Sequence, residues 1–372
     1  MRLYVLVFAV AALITFLLTA IVRHVALEKG VCAPVRERDV HTTPIPRLGG
    51  IAMAAGFVLT VLIAANIPYF APVFERGQIW GVVIGVVLIT ILGAVDDIYE
   101  LDWVAKIAGQ ILVAVAMAYF GVQLISFPIF GITIGSSTLS MLATVFIIVA
   151  IMNAVNFVDG LDGLAAGVVG LGALAFFIYS YTLTVISGAL TFATTASLIS
   201  AALVGICIGF LPYNFHPASI FMGDAGSMTL GVVVASAGII VTGQIDPSVL
   251  GASQQLYTAV VPIILPILVV VLPVTDMIAA IIRRVWKGAS PFAADKQHIH
   301  HQLLRLGHSH TAVVLIMYLW TVLATAPVVA ILLVPGRYVL VGTVITWVIG
   351  IILTRRAPSW INRISKKGKV QV

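Results

Sequence analysis

Two adjacent carboxylates, Asp96 and Asp97, close a long apolar stretch of the sequence. Neighbouring negative charges repel each other, so a metal ion or a basic side chain such as Lys106 must lie near them. On a helix the two side chains diverge by about 100° and therefore meet different neighbours. Carboxylates held against an apolar segment are costly, which favours a functional role over a solvated helix end.

A second polar pattern recurs at every third position, and its members are Asn153, Asn156, Asp159 and Asp162. The two amides lie in the apolar end of a span, where they are costly unless paired. The glycines that follow permit a tight turn and a close approach of the backbone to a ligand. Asp162 could simply cap the next helix, but a cap does not explain all four side chains. We therefore interpret the segment as part of a binding site.

A third acidic position, Asp224, lies between small residues in the segment Phe221-Met-Gly-Asp-Ala-Gly-Ser227, shortly after Asn214. A carboxylate between small residues can approach a hard cation without steric hindrance. Mg²⁺ takes oxygen ligands, usually one or two carboxylates completed by phosphate and water. The alternatives are a helix cap for Asp224 or Ser227 and interfacial packing for Phe221.

Histidines are concentrated in one polar segment near residue 300. If this segment is helical, His298, His301 and Arg305 share a face opposite an apolar stripe. That face suits phosphate oxygens. A zinc site is the alternative, but the segment lacks a His-Glu-x-x-His arrangement and both cysteines lie elsewhere. His308 and His310 are expected to be solvated loop residues.

A basic segment earlier in the chain contains His41 and Arg47 and ends in Pro44-Ile-Pro-Arg-Leu-Gly-Gly50. A basic loop beside anionic lipid is common, but the prolines and glycines make this one more rigid than such a loop requires. Both basic residues are therefore candidates for substrate binding.

The composition indicates what kind of structure positions these groups. The chain has 372 residues, of which 61% are hydrophobic and 9% are charged, whereas soluble domains carry roughly 25% charged residues. So apolar a chain is a polytopic membrane protein rather than a soluble or disordered one. Two cysteines give no disulfide framework, and the dispersed net charge of +6 does not indicate nucleic-acid binding.

Eleven stretches are apolar enough to cross a bilayer as helices, and ten is also defensible because the eighth is short and the ninth contains three prolines. They are 3–22, 49–65, 79–95, 103–120, 138–156, 164–186, 191–211, 228–242, 257–282, 312–334 and 338–353. No repeat or separate soluble domain interrupts them, so residues 1–372 are predicted to form a single all-α membrane domain.

The basic residues predict the orientation. With the N-terminus outside and the C-terminus cytoplasmic, 17 of the 20 lysines and arginines lie on the inner side, as the positive-inside rule requires. All eight histidines and twelve of the fourteen carboxylates fall on that side too, with a histidine-containing loop at 283–311 and a basic tail at 355–372. Because acids and histidines contribute little to the rule, we predict a polar reaction surface at the cytoplasmic face.

Carboxylates that hold Mg²⁺ and cations that neutralise phosphate are typical of phosphoryl transfer, and an acceptor in the bilayer would explain a site at its edge. A secondary transporter is the alternative, since transporters place ionisable groups on broken helices near the midplane. The middles of the spans are nearly free of charge here, which favours an interfacial enzyme.

Four motifs, Asp96-Asp97, 153–164, Phe221-Met-Gly-Asp224 and His298-Ile-His-His301, together resemble those of the polyprenyl-phosphate N-acetylhexosamine-1-phosphate transferases, in the same order and over nearly the whole chain. The His-Ile-His-His version is similar to the branch that uses UDP-N-acetylglucosamine (UDP-GlcNAc). A sister branch, which uses UDP-MurNAc-pentapeptide, carries three consecutive histidines. The second alternative is therefore a sister transferase with another UDP-sugar.

The resemblance implies transfer of GlcNAc 1-phosphate from UDP-GlcNAc to undecaprenyl or another polyprenyl phosphate, with release of UMP. The enzyme would lie in the bacterial inner membrane and begin a cell-envelope glycan such as teichoic acid or O-antigen. Asp224 would bind Mg²⁺, for which Mn²⁺ could substitute, with Asp96 and Asp97 as further candidate ligands. One of that pair would position or deprotonate the lipid phosphate, and Lys106 would balance their charge.

The remaining roles implied by the resemblance fall into two sets. The catalytic set is Asp96, Asp97, Asp159, Asp162, His298, His300 and His301. The substrate-binding set is His41, Arg47, Lys106, Asn153, Asn156, Asn214, Phe221 and Arg305. Within these sets, Asp159, Asp162 and Asn214 would lie around the nucleotide, and Phe221 would stack on uracil. The histidines with Arg305 would engage the diphosphate or the amino sugar.

Four points stay open at the level of sequence. A phosphate monoester has a second pKa near 6, so a general base has little proton to remove, and positioning by metal and cations is favoured. A covalent aspartyl-phosphate route is chemically feasible. Where relatives often carry a basic residue just before Val-His, this chain has Asp39, and Arg38 or His41 would have to serve instead. A homodimer is also open.

Overall fold

The computed structural model describes residues 1–30, 45–124, 136–187 and 192–242, most of 303–368 and a few positions between 268 and 288. Its regular elements are helices, with a 3₁₀ turn at Pro68–Phe70. They are α1 (Arg2–Glu28), α2 (Gly49–Ala64), α3 (Ala71–Glu75), α4 (Gln78–Tyr99), α5 (Trp103–Tyr119), α6 (Ser137–Val158), α7 (Leu164–Ser187), α8 (Phe192–Asn214), α9 (Gly223–Thr242), α10 (His310–Ala330) and α11 (Gly336–Gly368). The predicted all-α class is confirmed for the described residues.

Eight of these helices are long and apolar enough to cross a membrane. The number within the described residues rises to nine if α2 and the segment Pro68–Glu75, which are bent by 97°, form one broken span. Helix α5, with 17 residues, is shorter than a typical span. The described part of the chain therefore contains fewer spans than the eleven predicted. The predicted ninth span, 257–282, lies largely outside the described residues.

Several helix ends are set by local side chains. Helix α4 continues through the Asp96-Asp97 pair and stops at Glu100, which has a left-handed φ of 49°. Helix α5 begins after Asp102, whose carboxylate accepts a hydrogen bond from the Val104 N–H at 3.1 Å. Helix α9 begins at Gly223 rather than at the predicted residue 228. Asp224 therefore belongs to the first turn of a helix.

Helix α9 is the centre of the bundle. It is almost entirely buried, whereas most of α1 and most of the segment Gly336–Thr354 of α11 are exposed. Helix α9 packs against α2, α4, α6 and α8. Glycines allow this close approach, because a Cβ atom on Gly50 would overlap the backbone of Gly226, and one on Gly93 would overlap that of Ala225. Small residues serve the same purpose between membrane helices in general.

Seven helix termini meet at one end of the bundle. Contacts described below join the ends of α4, α6 and α8 to the beginnings of α2, α5, α7 and α9. Buried backbone is satisfied inside a membrane helix, so polar side chains and free helix ends concentrate where the helices stop. This end of the bundle carries the candidate site.

Candidate active site

Lys106 joins two carboxylates from different helices. Its ammonium nitrogen lies 2.8 Å from Oδ2 of Asp96 and 2.5 Å from Oδ2 of Asp224. The three side chains are largely shielded from solvent, with 19%, 7% and 29% of their surfaces exposed, respectively. The ammonium thus links Asp96 of the acidic pair to Asp224, and the role of Lys106 in balancing the charge of the pair stays a prediction.

The neighbouring carboxylates of α4 have different surroundings, as their divergence on a helix predicts. Asp96 accepts a hydrogen bond from the Leu101 N–H at Oδ1, at 2.8 Å, and directs Oδ2 to Lys106. Asp97 instead faces the beginning of α9. Its two oxygens accept the N–H groups of Asp224 and Ala225 at 2.9 and 3.1 Å.

Gly223 makes the contact between Asp97 and α9 feasible. Its φ is +67°, which favours glycine, and a Cβ atom there would overlap the Asp97 carboxylate and the main-chain oxygen of Arg47. Negative charge is also stabilised at the N-terminus of a helix, where N–H groups lack intrahelical partners. Asp97 thus caps α9 from another helix, and the sequence alone gave no signal of that pairing.

Asn156 orients the Asp224 carboxylate from α6. Its amide nitrogen donates to Oδ1 of Asp224 at 2.5 Å and to the hydroxyl of Ser227 at 2.8 Å. Ser227 in turn donates to the Gly223 carbonyl at 3.1 Å. The structure therefore brings Asn156 and Asp224 together, with Ser227 as a further member of the cluster.

Asn153 lies one turn earlier on α6 and has a different environment. Its amide nitrogen donates to the side-chain oxygen of Gln110 at 2.7 Å and to the Val149 carbonyl at 2.8 Å. Gln110 is fully buried and also donates to the Met228 sulfur at 3.1 Å. Asn153 thus joins α5, α6 and α9 behind the carboxylates, and its direct contact with a substrate stays a prediction.

Asp159 follows the end of α6 and lies among charged groups. Burial, and then the negative charges of Asp224, Asp97 and Asp162, raise the pKa of Asp159 to about 8, whereas the guanidinium of Arg47 opposes the shift. At neutral pH this carboxyl is therefore largely protonated in the absence of a bound cation.

Asp162 and Asn214 hold two loops against each other. Oδ2 of Asp162 lies 2.8 Å from Nδ1 of His216 and accepts the Ala218 N–H at 3.1 Å. Asn214 accepts the Gly163 N–H at 3.0 Å and donates to the Ile220 carbonyl at 3.1 Å. Both side chains are buried, at 7% and 2% exposure. The structure thus gives them a supporting role, and the predicted nucleotide contacts are untested.

The segment around Pro46 pairs with the segment that precedes α9. The Phe221 N–H donates to the Pro46 carbonyl at 2.8 Å, and the N–H groups of Gly49 and Gly50 donate to the carbonyls of Phe221 and Met222 at 3.0 and 2.8 Å. This pairing fixes the half-buried side chains of Arg47 and Phe221 at the same end of the bundle as Asp224. It explains the rigidity predicted from the prolines and glycines.

Helix α10 contacts the site from the other side. The Tyr318 hydroxyl donates to the Gly163 carbonyl at 2.5 Å, and the His310 ring stacks on that of His216 with centroids 5.3 Å apart. The sequence carried no signal for Tyr318, because a tyrosine in an apolar span has no distinguishing neighbours.

The prediction that His308 and His310 are solvated is wrong. His308 is 4% exposed and His310 is half-buried. Gly307, with φ +91°, turns the chain back at this point, and the His308 N–H donates to the Leu303 carbonyl at 3.3 Å. The ring is thereby directed into the protein.

Five predicted site residues lie outside the described residues. They are His41, His298, His300, His301 and Arg305. Their proposed contacts with phosphate or sugar stay predictions.

The carboxylates fit a divalent cation. Oδ2 of Asp96 and Oδ2 of Asp224 already converge on one positive group, the ammonium of Lys106. The described residues contain no group of three or more His, Cys, Asp or Glu side chains arranged to hold a metal. A cation bound here would therefore complete its shell with water and substrate oxygens, which is the usual arrangement for Mg²⁺ on phosphate substrates.

The chain is similar in sequence to several known transferases. Residues 79–242 match the family model described as glycosyl transferase family 4. Decaprenyl-phosphate N-acetylglucosaminephosphotransferase of Mycobacterium tuberculosis is 42% identical over 83% of this chain and 78% of its own length. The corresponding protein of Mycolicibacterium smegmatis is 39% identical over 94% and 88%. A probable undecaprenyl-phosphate N-acetylglucosaminyl 1-phosphate transferase of Bacillus subtilis is 34% identical over 85% and 81%.

Proposed function

We infer that the chain, which belongs to the polyprenyl-phosphate N-acetylglucosamine-phosphotransferases of glycosyl transferase family 4, transfers N-acetylglucosamine 1-phosphate to a polyprenyl phosphate. We propose that the donor is UDP-GlcNAc, that UMP is released, and that Mg²⁺ bound at Asp224 is required. Mn²⁺ is expected to substitute. The product, GlcNAc-diphospho-polyprenol, would be the first lipid-linked intermediate of a cell-envelope glycan.

The reaction exchanges one phosphoanhydride bond for another. An oxygen of the lipid phosphate forms a bond to the β-phosphorus of UDP-GlcNAc, and the bond from that phosphorus to the bridging oxygen breaks. UMP leaves with the electron pair. The lipid phosphate is already mostly a dianion at neutral pH, because its second pKa is near 6. The protein therefore has to position two anions rather than remove a proton.

Asp224 and Asp96 are the residues best placed to hold the metal, since their Oδ2 atoms converge. The bound ion would neutralise charge on the diphosphate. Asp97 is less suited, because both of its oxygens accept backbone N–H groups of α9. Asn156 fixes the orientation of the Asp224 carboxylate through its amide.

Two basic residues could receive phosphate oxygens at this end of the bundle. Lys106 already lies on the carboxylate pair, and Arg47 lies close enough to Asp159 to oppose the rise of its pKa. A guanidinium binds phosphate in a bidentate manner, whereas an ammonium acts as a point charge. We assign Arg47 to the diphosphate of the nucleotide sugar, and Phe221, fixed beside it, to the uracil ring.

The site is proposed to face the cytoplasm. All the helix ends that carry it belong to one end of the bundle, and the positive-inside distribution of the sequence assigns that end to the cytoplasm. An anionic, nucleotide-linked donor would then reach the site from water, while the prenyl chain of the acceptor stays in the bilayer.

The observation that carries this proposal is the convergence of Asp96, Lys106 and Asp224. Its test is an assay of UMP release by the purified protein from a panel of UDP-sugars, including UDP-GlcNAc and UDP-MurNAc-pentapeptide, with polyprenyl phosphate and Mg²⁺. UDP-GlcNAc should be the preferred donor. Asp224→Asn should abolish turnover, whereas neutralising the exposed Glu75 on α3 (Glu75→Gln) should not affect it. A folded Asp224→Asn variant with full activity would remove the metal role.

A further inference from the structure

The ammonium of Lys106 lies where one carboxylate oxygen of Asp96 and one of Asp224 converge. The second oxygen of each carboxylate is engaged by a neutral donor, Oδ1 of Asp96 by the Leu101 N–H and Oδ1 of Asp224 by the Asn156 amide. The two Oδ2 atoms point to a common centre, and the ammonium is located there, at 2.8 and 2.5 Å. The site therefore has a bound cation supplied by the chain itself.

An ammonium and Mg²⁺ cannot share this centre. Mg²⁺ binds oxygen at about 2.0–2.1 Å, so an ion held by both Oδ2 atoms would lie in direct contact with the Lys106 ammonium. Two positive charges in contact in a largely shielded site repel each other strongly. One of them has to move, and the lysine has a flexible four-carbon stem and a strongly hydrated head group. With 19% of its side chain exposed, it also has a route to solvent.

We propose that Lys106 is an exchangeable counter-ion. In the metal-free protein it holds Asp96 and Asp224 together. When the metal binds, the ammonium of Lys106 leaves the Oδ2 atoms of both carboxylates and becomes available to pair with a phosphate oxygen of the substrate. This inference deepens the proposed function and rests on its metal site, and it makes Lys106 a positioning residue for the metal-free state.

The exchange would have a structural purpose. Without a cation, the carboxylates of Asp96, Asp97 and Asp224 would repel one another where α4 meets α9. The ammonium keeps these two helices joined until the metal arrives. The ammonium also lowers the affinity of the site for the metal, because the metal has to displace a paired charge before it binds.

The first test measures Mn²⁺ binding by electron paramagnetic resonance in the purified full-length protein. Lys106→Met removes the competing charge, so Mn²⁺ should bind about tenfold more tightly than to the wild type. Lys106→Arg keeps the charge and should show no such gain. Lys29→Met makes the same change at an exposed position and serves as the control. Unchanged or weaker Mn²⁺ binding by Lys106→Met would overturn the proposal.

The second test needs no variant and so does not depend on the folding of Lys106→Met. The wild-type protein is treated with an amine-acylating reagent, and labelling of Lys106 and Lys29 is quantified by peptide mass spectrometry. Saturating Mg²⁺ should increase the labelling of Lys106 severalfold, and polyprenyl phosphate added with Mg²⁺ should reverse the increase. Labelling of Lys29 should stay constant. Equal labelling of Lys106 with and without Mg²⁺ would contradict the exchange.

Failure of the exchange is distinguishable from failure of the proposed function. UMP release measured on the same preparation reports the transferase reaction alone. If UMP forms but Lys106 labelling does not respond to Mg²⁺, the exchange is wrong and the transferase assignment stands.

Discussion

The carboxylate of Asp97 accepts two backbone hydrogen bonds at the start of the helix that carries Asp224, including one from Asp224 itself. The last turn of α4 thereby fixes the first turn of α9. The adjacent residue, Asp96, pairs with Lys106 and through it with the Asp224 side chain. Two consecutive carboxylates thus hold the backbone and the side chain of the same residue.

Asp97→Ala should weaken both the fold and the metal site. Loss of a helix cap costs about 1–2 kcal/mol, and without the cap the Asp224 backbone is less well fixed. We expect a lower melting temperature and weaker Mn²⁺ binding. Asp102→Ala removes the cap of α5 and should lower the melting temperature while leaving Mn²⁺ affinity unchanged. If Asp97→Ala binds Mn²⁺ as the wild type does, Asp97 does not position Asp224.

Asn156 and Asn153 should differ although they lie one turn apart on α6. Asn156→Ala removes the amide that orients Asp224, and loss of such a supporting contact typically lowers activity about 10–100-fold. Asn153→Ala removes contacts to Gln110 and Val149, so its main effect should be on thermal stability. Steady-state kinetics and melting curves of both variants measure the contrast. Equal losses of kcat would show that Asn153 also acts in the site.

Asp159 should make the metal-free protein less stable as the pH rises. Its pKa increases from 3.8 in the unfolded chain to about 8 in the folded protein, so the folded state binds the extra proton. That contribution is fully present below pH 3.8 and is lost as the pH rises through about 8. The melting temperature of the wild type should therefore fall with pH relative to that of Asp159→Asn, and Glu75→Gln should follow the wild type. Parallel curves for the wild type and Asp159→Asn would contradict the assignment.

Tyr318→Phe should loosen the loop between α6 and α7. The variant loses the hydrogen bond to the Gly163 carbonyl, which is worth about 1 kcal/mol, and retains the ring. We expect a higher KM for UDP-GlcNAc, because Gly163 lies in the turn assigned to the nucleotide. Tyr119→Phe, at an exposed tyrosine on α5, is the matched control. An unchanged KM for UDP-GlcNAc in Tyr318→Phe would show that the contact from α10 does not contribute to donor binding.

Much of the site could be predicted from the sequence because its members lie at the ends of apolar segments. Asp96, Asn156 and Asp224 are polar residues next to long hydrophobic runs, where an unpaired polar group is costly. Such a cost is visible without a structure. Most helix positions followed from the same apolar runs, whereas α9 begins before its predicted run, at Gly223, where Asp97 caps it.

The division of labour among these residues could not be predicted, because it depends on pairing between distant segments. Sequence spacing does not distinguish Asp96, which meets Lys106, from Asp97, which meets the backbone of α9. It likewise does not reveal that the Asn214 side-chain amide forms hydrogen bonds with main-chain groups of two loops. His308 was misassigned because the turn at Gly307 reverses the chain.

The most direct test of the central claim follows both parts of the transferred group. UDP-GlcNAc labelled with ³²P at the β-phosphorus and with tritium in the sugar is incubated with the purified protein, polyprenyl phosphate and Mg²⁺, and the lipid and water phases are separated. Transfer of GlcNAc 1-phosphate predicts that both labels enter the lipid phase in equal amounts and that unlabelled UMP appears in the water. Tritium in the lipid with ³²P left in aqueous UDP, or no label in the lipid, would contradict the assignment.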